Sequence, residues 1–254
     1  MTNYILMKKF SVCISVLLMM FLTVSVHAQK KPVTKKTPVK KTAAKKPVVK
    51  KVANAPKLIR VPGTRVKITT DSGVIVIRLY DKTPKHRDNF IKLANEHFFD
   101  SLLFHRVISE FMIQGGDPLS KNAPSGTMLG SGDVGYTIPA EFDTTLYHKK
   151  GALAAARTNN PEKASSGCQF YIVQGKKYSD GDLNMIEMQT GIKFSLAKRN
   201  IYKTIGGTPF LDMNYTVFGE VESGLEVIDK IASVQKGMGD RPVGDVRMYI
   251  EVIK

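Results

Sequence analysis

Residues 104–117, with the sequence FHRVISEFMIQGGD, combine side chains that rarely stand together. The run holds the guanidinium of Arg106 and the side-chain amide of Gln114, with the bulky apolar Phe111 and Met112 between them. An unpaired cation on apolar surface is costly, so Arg106 is expected to have either a partner or a chemical role. Taken alone, Arg106 would be interpreted as half of a structural ion pair.

The same run predicts two short strands that would hold these side chains. Aromatic and β-branched residues fill Leu103–Ile108 and Phe111–Gly115, and Ser109-Glu110 forms a tight connection between them. The sequence GGDP at 115–118 ends the second strand. Arg106 would therefore lie on a strand, beside an apolar neighbour strand.

This run resembles the signature of the cyclophilins, the peptidyl-prolyl cis/trans isomerases. The resemblance covers about residues 60–254. It implies that Arg106 is the catalytic residue. Three further residues of the run match pocket residues of the family: Phe111, Met112 and Gln114.

Three later segments also resemble the family: GALAAAR at 151–157, SGCQFYIV at 166–173 and PFLDMNYTVFGEV at 209–221. The resemblance implies that these segments supply further substrate-binding residues, with Arg157 offering main-chain hydrogen bonds. Those residues are Ala156, Arg157, Gln169, Tyr171, Phe210, Leu211 and Tyr215. Tyr171 matches a pocket-floor position that is usually Phe, so its hydroxyl needs a partner when buried.

Two helices and about eight strands, taken with the resemblance, imply a mainly β fold. We expect a closed eight-stranded antiparallel barrel capped by two α-helices, which leaves no free sheet edges. The helices are predicted at Pro84–His97, with Thr83 as the N-cap, and at Gly224–Ile231. A barrel of this size fills its interior with side chains, so the substrate groove would lie outside.

Residues 176–207 depart from the family pattern and predict an inserted helical hairpin. Asp182–Thr190 would end at Gly191, and Ser195 would cap a second helix at Leu196–Ile205. We expect this insertion on the surface near the mouth of the groove. The sequence leaves its role open between docking a partner and stabilising the domain.

The first 28 residues predict a secretory signal peptide. Lys8-Lys9 precede an apolar run from Phe10 to Val26, and Val26-His27-Ala28 has small residues suited to cleavage before Gln29. We therefore expect secretion across the inner membrane to the periplasm or cell envelope. An uncleaved anchor helix is the alternative, although the run is slightly short for a span of about 20 residues.

Residues 29–58 predict a disordered linker in front of the isomerase domain at 59–254. Lysine pairs recur every five residues from Lys30 to Lys51, a period that builds neither a helical nor a strand face. The linker would be a plain spacer or a tether to an anionic surface. Contact with nucleic acid is disfavoured, because the segment lacks aromatic residues for base stacking.

The lysines of this region also account for most of the net charge of +16. Lys8, Lys9 and the eleven lysines of residues 29–57 supply thirteen positive charges, with no acid among residues 1–57. The rest of the chain therefore carries only +3. The high basicity belongs to the N-terminal region and says little about the domain.

The residues of the signature suit one reaction. The run contains no nucleophile–base pair, phosphate loop or metal cluster, so we expect no cofactor and no metal ion. Uncatalysed X-Pro rotation takes tens to hundreds of seconds. In the twisted state the prolyl nitrogen gains a lone pair, to which Arg106 would donate.

The sequence therefore predicts a peptidyl-prolyl cis/trans isomerase that assists protein folding in the cell envelope. Its partners would be proline-containing unfolded or partly folded polypeptides, and we expect a monomer. Two alternatives remain open. One is a chaperone module that binds proline peptides in the same groove without turnover. The other is a structural protein tethered to polyanions through Lys30–Lys51.

Overall fold

The computed structural model describes residues 63–253, so the signal peptide and linker predicted for residues 1–58 lie outside the described part. The strands are β1 Arg65–Thr70, β2 Gly73–Leu79, β3 Leu102–Leu103, β4 Arg106–Ile108, β5 Met112–Gly115, β6 Thr137–Ile138, β7 Ala152–Ala155, β8 Ser165–Ser166, β9 Phe170–Val173, β10 Val217–Ser223 and β11 Arg247–Ile253. The helices are α1 Pro84–Asn95, α2 Asp180–Thr190, α3 Leu196–Thr204 and α4 Leu225–Ala232. Within residues 63–253, none of the helices has the length and apolarity needed to cross a bilayer.

Nine strands form one antiparallel sheet in the order β3-β11-β1-β2-β10-β7-β9-β5-β4. The short strands β6 and β8 pair separately. In β1 and β2 the buried residues alternate along the chain, as they must when one face of a strand packs on a core. The fold is therefore mainly β, with helices packed on a curled sheet.

The predicted closed barrel of eight strands is not confirmed. The sheet has nine strands, and within residues 63–253 no hydrogen-bonded ladder joins its two end strands, β3 and β4. Only Phe104 and His105 separate these strands in the chain. The single strand predicted at Leu103–Ile108 is split there because β3 pairs with β11 whereas β4 pairs with β5.

One hydrophobic core receives side chains from all nine strands of the sheet and from α1 and α4. Phe90 of α1 lies at its centre, with ring centroids 4.9 Å from Phe99, 5.3 Å from Phe170 and 5.5 Å from Phe218. Since every strand contributes to the same core, the sheet curls around it. Its outer face is left for other contacts.

Helix α1 begins at Pro84, but the Thr83 side chain does not cap it. The carboxylate of Glu141 does so instead, accepting hydrogen bonds from the main-chain N–H groups of Lys85 and His86 at 3.0 Å each. It also lies 2.7 Å from Nδ1 of His86. A carboxylate distant in sequence therefore satisfies the free N–H groups that open the helix.

Helices α2 and α3 lie within the segment where a helical hairpin was predicted. Ser179 and Asp182 form a reciprocal capping box at the start of α2, and the Ser195 hydroxyl accepts a hydrogen bond from a main-chain N–H at the start of α3. Gly191, with φ of 72°, ends α2 in the left-handed region. The hairpin has a small core of its own, formed by Leu183, Ile186, Phe194 and Tyr202.

Candidate active site

Four neighbouring strands bring the predicted catalytic arginine into line with predicted pocket residues. Arg106 on β4 lies opposite Gln114 on β5, and Gln114 lies opposite Tyr171 on β9. Tyr171 in turn lies opposite Ala154 on β7. Directly paired residues point to the same side of a sheet. This row faces away from the main core, which takes alternate residues such as Ile113.

A cavity of about 160 Å³ lies on this outer face. Nine of the eleven predicted site residues line it: Arg106, Phe111, Met112, Gln114, Ala156, Arg157, Tyr171, Leu211 and Tyr215. Met112 and Tyr171 are 2% and 4% exposed, so the floor is apolar and well buried. The structure therefore brings most of the predicted residues together around one space.

Aromatic side chains form much of the wall and rim of the cavity. The Tyr171 ring meets the Tyr215 ring edge-on, with centroids 5.9 Å apart. Phe111 stacks on Phe210 at 5.8 Å. Phe210 is 40% exposed and does not line the cavity, so it supports the rim through Phe111.

The Arg106 guanidinium borders the cavity and makes only long contacts. Its Nη1 lies 3.4 Å from Gln114 Oε1, and its Nε lies 3.6 Å from Asp240 Oδ2. The Arg106 side chain is 43% exposed. A guanidinium carries five N–H donors, so donors remain for a ligand in the cavity.

Gln169, the second predicted residue outside this cavity, lines a neighbouring cavity and contacts the first one through Gln114. Gln114 Nε2 donates to Gln169 Oε1 at 3.0 Å. Gln169 Nε2 donates in turn to the carbonyl oxygens of Gly130 at 3.0 Å and Gly132 at 2.7 Å. Because a carbonyl can only accept, these two contacts fix the orientation of both amides. The Gln114 oxygen is thereby turned toward Arg106.

Arg157 holds its side chain aside and presents its main chain at the cavity. Its guanidinium lies over the Tyr215 ring at 4.7 Å, and its Nε donates to the Asn214 carbonyl at 2.9 Å. Among residues 63–253, no group is hydrogen-bonded to the main-chain N–H or C=O of Arg157. Both are therefore able to pair with the main chain of a bound peptide.

A second cavity, of about 490 Å³, adjoins the first. The two cavities share Gln114, Ala156 and Arg157, and residues of the loop 130–137 line the far part of the second. Together the two cavities form a groove across the outer face of the sheet. A groove of this kind can receive an extended chain as well as a single ring.

The Tyr171 hydroxyl has a buried partner, as the sequence required. It lies 3.0 Å from Nε2 of His148, whose Nδ1 lies 3.0 Å from Oδ1 of Asp212. Burial raises the pKa of the Tyr171 phenol well above its usual range, so the hydroxyl keeps its proton. The polar end of the pocket floor is thus satisfied inside the protein.

The sequence analysis missed three polar residues at or beneath the cavity: Asp240, His148 and Asp212. Asp212 follows directly after Leu211, so a carboxylate beside a predicted pocket residue was a usable signal. His148 and Asp240 carried no local signal, because only long-range packing brings their loops to the site.

Comparison with known proteins adds independent information. A family model described as cyclophilin type peptidyl-prolyl cis-trans isomerase/CLD matches residues 65–252. The chain is 39% identical over 198 residues to a provisionally named bifunctional phosphatase/peptidyl-prolyl cis-trans isomerase of Streptococcus pyogenes, a match that covers 76% of this chain but only 38% of that protein. It is 35% identical over 183 residues to a provisionally named peptidyl-prolyl cis-trans isomerase of Staphylococcus haemolyticus, covering 72% of this chain and 87% of that one.

A solved structure has the same fold. The cyclophilin type peptidyl-prolyl cis-trans isomerase of Cryptosporidium parvum aligns with a TM-score of 0.55 at 20% identity, covering 76% of this chain and 98% of that one. A second crystal structure of that protein, obtained in the presence of the dipeptide Ala-Pro, aligns with a TM-score of 0.54 at 21% identity, covering 75% of this chain and 99% of that one. At this identity the likeness shows the fold alone. Because the family model and the curated relatives match most of its length, this chain belongs to the family of cyclophilin-type peptidyl-prolyl cis-trans isomerases.

Proposed function

We propose that this protein accelerates the cis/trans rotation of X-Pro bonds in polypeptides. The observation that carries the proposal is the position of Arg106, a half-exposed cation at the border of an apolar cavity of about 160 Å³. The cavity suits a small apolar ring. The Arg106 guanidinium is suited to donate a hydrogen bond to the prolyl nitrogen of that ring, which becomes electron-rich during rotation.

The mechanism follows from the electronic structure of the peptide bond. Resonance opposes rotation with a barrier of about 18–20 kcal/mol. Twisting the bond breaks this resonance and leaves a lone pair on the prolyl nitrogen. An N–H of Arg106 donates to that lone pair, so it stabilises the twisted state over either planar state. No covalent bond to the protein is made or broken.

The groove holds the substrate on both sides of the reacting bond. The proline ring lies among Phe111, Met112 and Leu211. The free main-chain groups of Arg157 pair with the main chain of the peptide, and the residues beside the proline occupy the adjoining cavity. This placement fixes one end of the bond while the other rotates.

The substrates are proline-containing unfolded or partly folded polypeptides. A groove that offers main-chain hydrogen bonds and one apolar cavity binds an exposed X-Pro segment without requiring a particular fold around it. The Ala-Pro dipeptide named with the Cryptosporidium structure has this minimal chemistry.

The site of action we propose is the periplasm or cell envelope. The apolar run behind Lys8-Lys9 supports export, with removal of residues 1–28 and a linker at 29–58. The exported protein should begin at Gln29, which N-terminal sequencing would establish. A mature protein that retains Met1 would overturn this part of the proposal.

We further propose that the sheet behaves as a closed barrel. The two end strands, β3 and β4, are separated only by Phe104 and His105, and both contribute to the same core. This supports a barrel that is closed by the short covalent connection between β3 and β4 rather than by hydrogen bonds between these two strands. Hydrogen exchange should then protect the amides of β3 and β4 as strongly as those of β1. Rapid exchange confined to β3 and β4 would show an open edge.

Replacing Arg106 by Ala tests the mechanism directly. We expect kcat/KM in a protease-coupled assay on a Pro peptide to fall by about a hundredfold or more, with the fold retained. Arg65→Ala is the matched control, because the Arg65 and Arg106 side chains are each 43% exposed and each faces a carboxylate. Arg65 does not line the cavity, so its replacement should leave the rate unchanged.

The same variants separate the three functions. Wild-type rates in Arg106→Ala would reject the mechanism. A wild-type protein that binds the peptide without turnover would instead be the non-catalytic chaperone module. If deletion of Lys30–Lys51 abolished function while Arg106→Ala did not, the polyanion-tethered structural protein would be the correct alternative.

A further inference from the structure

A chain of buried hydrogen bonds, the relay, runs from the inserted hairpin to the cavity through Tyr202, Asp212, His148 and Tyr171. The Tyr202 hydroxyl donates to both carboxylate oxygens of Asp212 at 2.9 Å. Asp212 Oδ1 lies 3.0 Å from His148 Nδ1, and His148 Nε2 lies 3.0 Å from the Tyr171 hydroxyl. All four residues are at most 4% exposed. Solvent therefore does not compete for these bonds.

A single arrangement of protons satisfies the relay. The Asp212 carboxylate accepts from Tyr202 and, at 2.9 Å, from the main-chain N–H of His148. Since it can only accept, Nδ1 of His148 carries a proton and donates to it. Nε2 of His148 is the partner of the Tyr171 hydroxyl, so both groups are paired when the hydroxyl donates to Nε2. Each residue of the relay is hydrogen-bonded to the next, so the loss of a hydrogen bond at one end alters the hydrogen bonds at the other.

The relay begins in the helical hairpin, which the sequence analysis interprets as an insertion, and ends in the site. Tyr202 belongs to α3, where it packs against Phe194 at 5.6 Å in the small core of the hairpin. Tyr171 forms the floor of the cavity. Asp212 directly follows Leu211, which lines the wall. The insertion is thus connected to both the floor and the wall.

The chain that leaves the hairpin is packed against the same residues. The main-chain N–H of Thr208 donates to the carbonyl of His148 at 2.8 Å. At Gly207 an added Cβ would overlap that carbonyl and the ring of Tyr202. The close approach leaves the end of the hairpin little freedom to shift relative to the relay.

We propose that the inserted hairpin is a positioning element for the isomerase site, acting through Tyr202. Tyr202 fixes Asp212 and with it the Leu211 wall, and through His148 it fixes the Tyr171 floor. This inference rests on the proposed isomerase function. Leaving any buried hydroxyl or carboxylate of the relay unpaired is costly, so the paired arrangement excludes other orientations of the floor. Catalysis is sensitive to such placement.

Tyr202→Phe in the full chain removes one hydroxyl and keeps the ring that packs the hairpin core. We expect kcat/KM on a Pro peptide to fall about three- to tenfold, mostly through kcat. Tyr171→Phe should lower it by a similar factor. The double variant should lose no more than the single variants, because both substitutions interrupt the same chain.

Tyr178→Phe is the matched control. Tyr178 meets Tyr202 edge-on at 6.5 Å in the same hairpin core, and its hydroxyl takes no part in the relay. We expect its rate to equal that of the wild type. Circular dichroism and melting curves of all variants would show that each is folded.

A second measurement does not depend on turnover. The ¹⁵N resonances of the His148 imidazole report whether each ring nitrogen donates, accepts or is free. Tyr171→Phe should shift the Nε2 resonance, and Tyr202→Phe should shift the Nδ1 resonance together with a smaller change at Nε2. Tyr178→Phe should shift neither.

The proposal is overturned if Tyr202→Phe leaves kcat/KM and the His148 resonances unchanged, if Tyr178→Phe reproduces its effects, or if the losses in the double variant add. Failure of the isomerase function looks different, since the wild-type protein would then be inactive. If the wild-type protein is inactive, two other measurements test the positioning proposal: the affinity for a Pro peptide and the ¹⁵N resonances of His148. A change in both with Tyr202→Phe supports positioning of the groove, and no change in either rejects it.

Discussion

The Nε atom of Arg106 lies 3.6 Å from Oδ2 of Asp240, so the cation at the cavity has a carboxylate neighbour. Asp240 stands in the loop between α4 and β11, in the left-handed region with φ of 60°. The two side chains are 43% and 47% exposed, and an ion pair this open contributes little. Its effect is to bias the direction of the guanidinium rather than to lock it.

Asp240→Asn should therefore lower kcat/KM by only about two- to fivefold at low salt, because the bias on Arg106 is lost while the cation remains. The difference from wild type should fade at about 1 M salt, where the ion pair is screened in both proteins. Steady-state assays across a salt series measure this. A loss as large as that of Arg106→Ala would instead place Asp240 in the catalytic machinery.

Gly175→Ala should be strongly destabilising, because Gly175 and Gly207 pack backbone to backbone where the chain enters and leaves the helical hairpin. A Cβ at Gly175 would overlap the backbone of Gly207, and φ at Gly175 is 63°. Rotating a side chain cannot relieve such an overlap. We expect a loss of about 3 kcal/mol in the free energy of unfolding. Urea titration measures it.

Gly191→Ala is the control for backbone conformation alone. Its φ is 72°, but an added Cβ would meet nothing within 4 Å. The expected loss is about 1–2 kcal/mol, which is the cost of a left-handed alanine. Equal losses at the two glycines would mean that the overlap with the Gly207 backbone contributes nothing to the loss at Gly175. Isomerase activity should fall with Gly175→Ala and persist with Gly191→Ala.

Acid should destabilise the domain through two of its buried histidines, His105 and His86. Burial lowers the pKa of His105 from 6.5 to about 4, against the attraction of Asp117. Burial also lowers the pKa of His86, against its contact with Glu141. In the unfolded chain both titrate near their ordinary pKa of about 6.5. The unfolded state therefore binds protons first, and stability falls as pH drops from about 6.5 to about 4.

His105 alone should contribute on the order of 3 kcal/mol to this loss. Urea unfolding at neutral pH and at about pH 4.5 measures the difference. His105→Gln should lower stability at neutral pH and flatten the dependence on pH, since the group that titrates is gone. An unchanged slope in the variant would assign the acid sensitivity to other groups.

Local patterns were sufficient where local interactions decide the structure. Two stretches rich in β-branched residues, Arg65–Thr70 and Val74–Tyr80, are joined by Asp71-Ser72-Gly73 and so predict a hairpin. Strands β1 and β2 lie within one residue of these bounds. Helix α1 was predicted to continue to His97, but it ends at Asn95, and His97 turns into the left-handed region with φ of 55°. No glycine marks this end, so the sequence carries no signal for it.

Contacts between residues far apart in the chain determine the features of the site that the sequence did not predict. Nine residues chosen from the family motifs line the cavity. The motifs also placed Gln169 in the groove, but they did not indicate that Gln169 is hydrogen-bonded to Gln114. The link from Tyr202 to the site likewise depends on contacts between segments far apart in the chain. Caps and periodicity predict that a hairpin forms, but they contain no information about which residue lies beneath it.

Arg106, Gln114, Tyr171 and Ala154 face one another only after β4, β5, β9 and β7 have paired. Sheets built from such distant segments fold slowly, because the entropy lost in closing the loops between strands comes before the favourable contacts between strands form. The wall of the cavity also includes Tyr215, which comes last along the chain among the residues that line the cavity. Catalytic competence is therefore a late event in the biogenesis of this protein, and a chain halted before Tyr215 would be enzymatically silent however much of its sheet had formed.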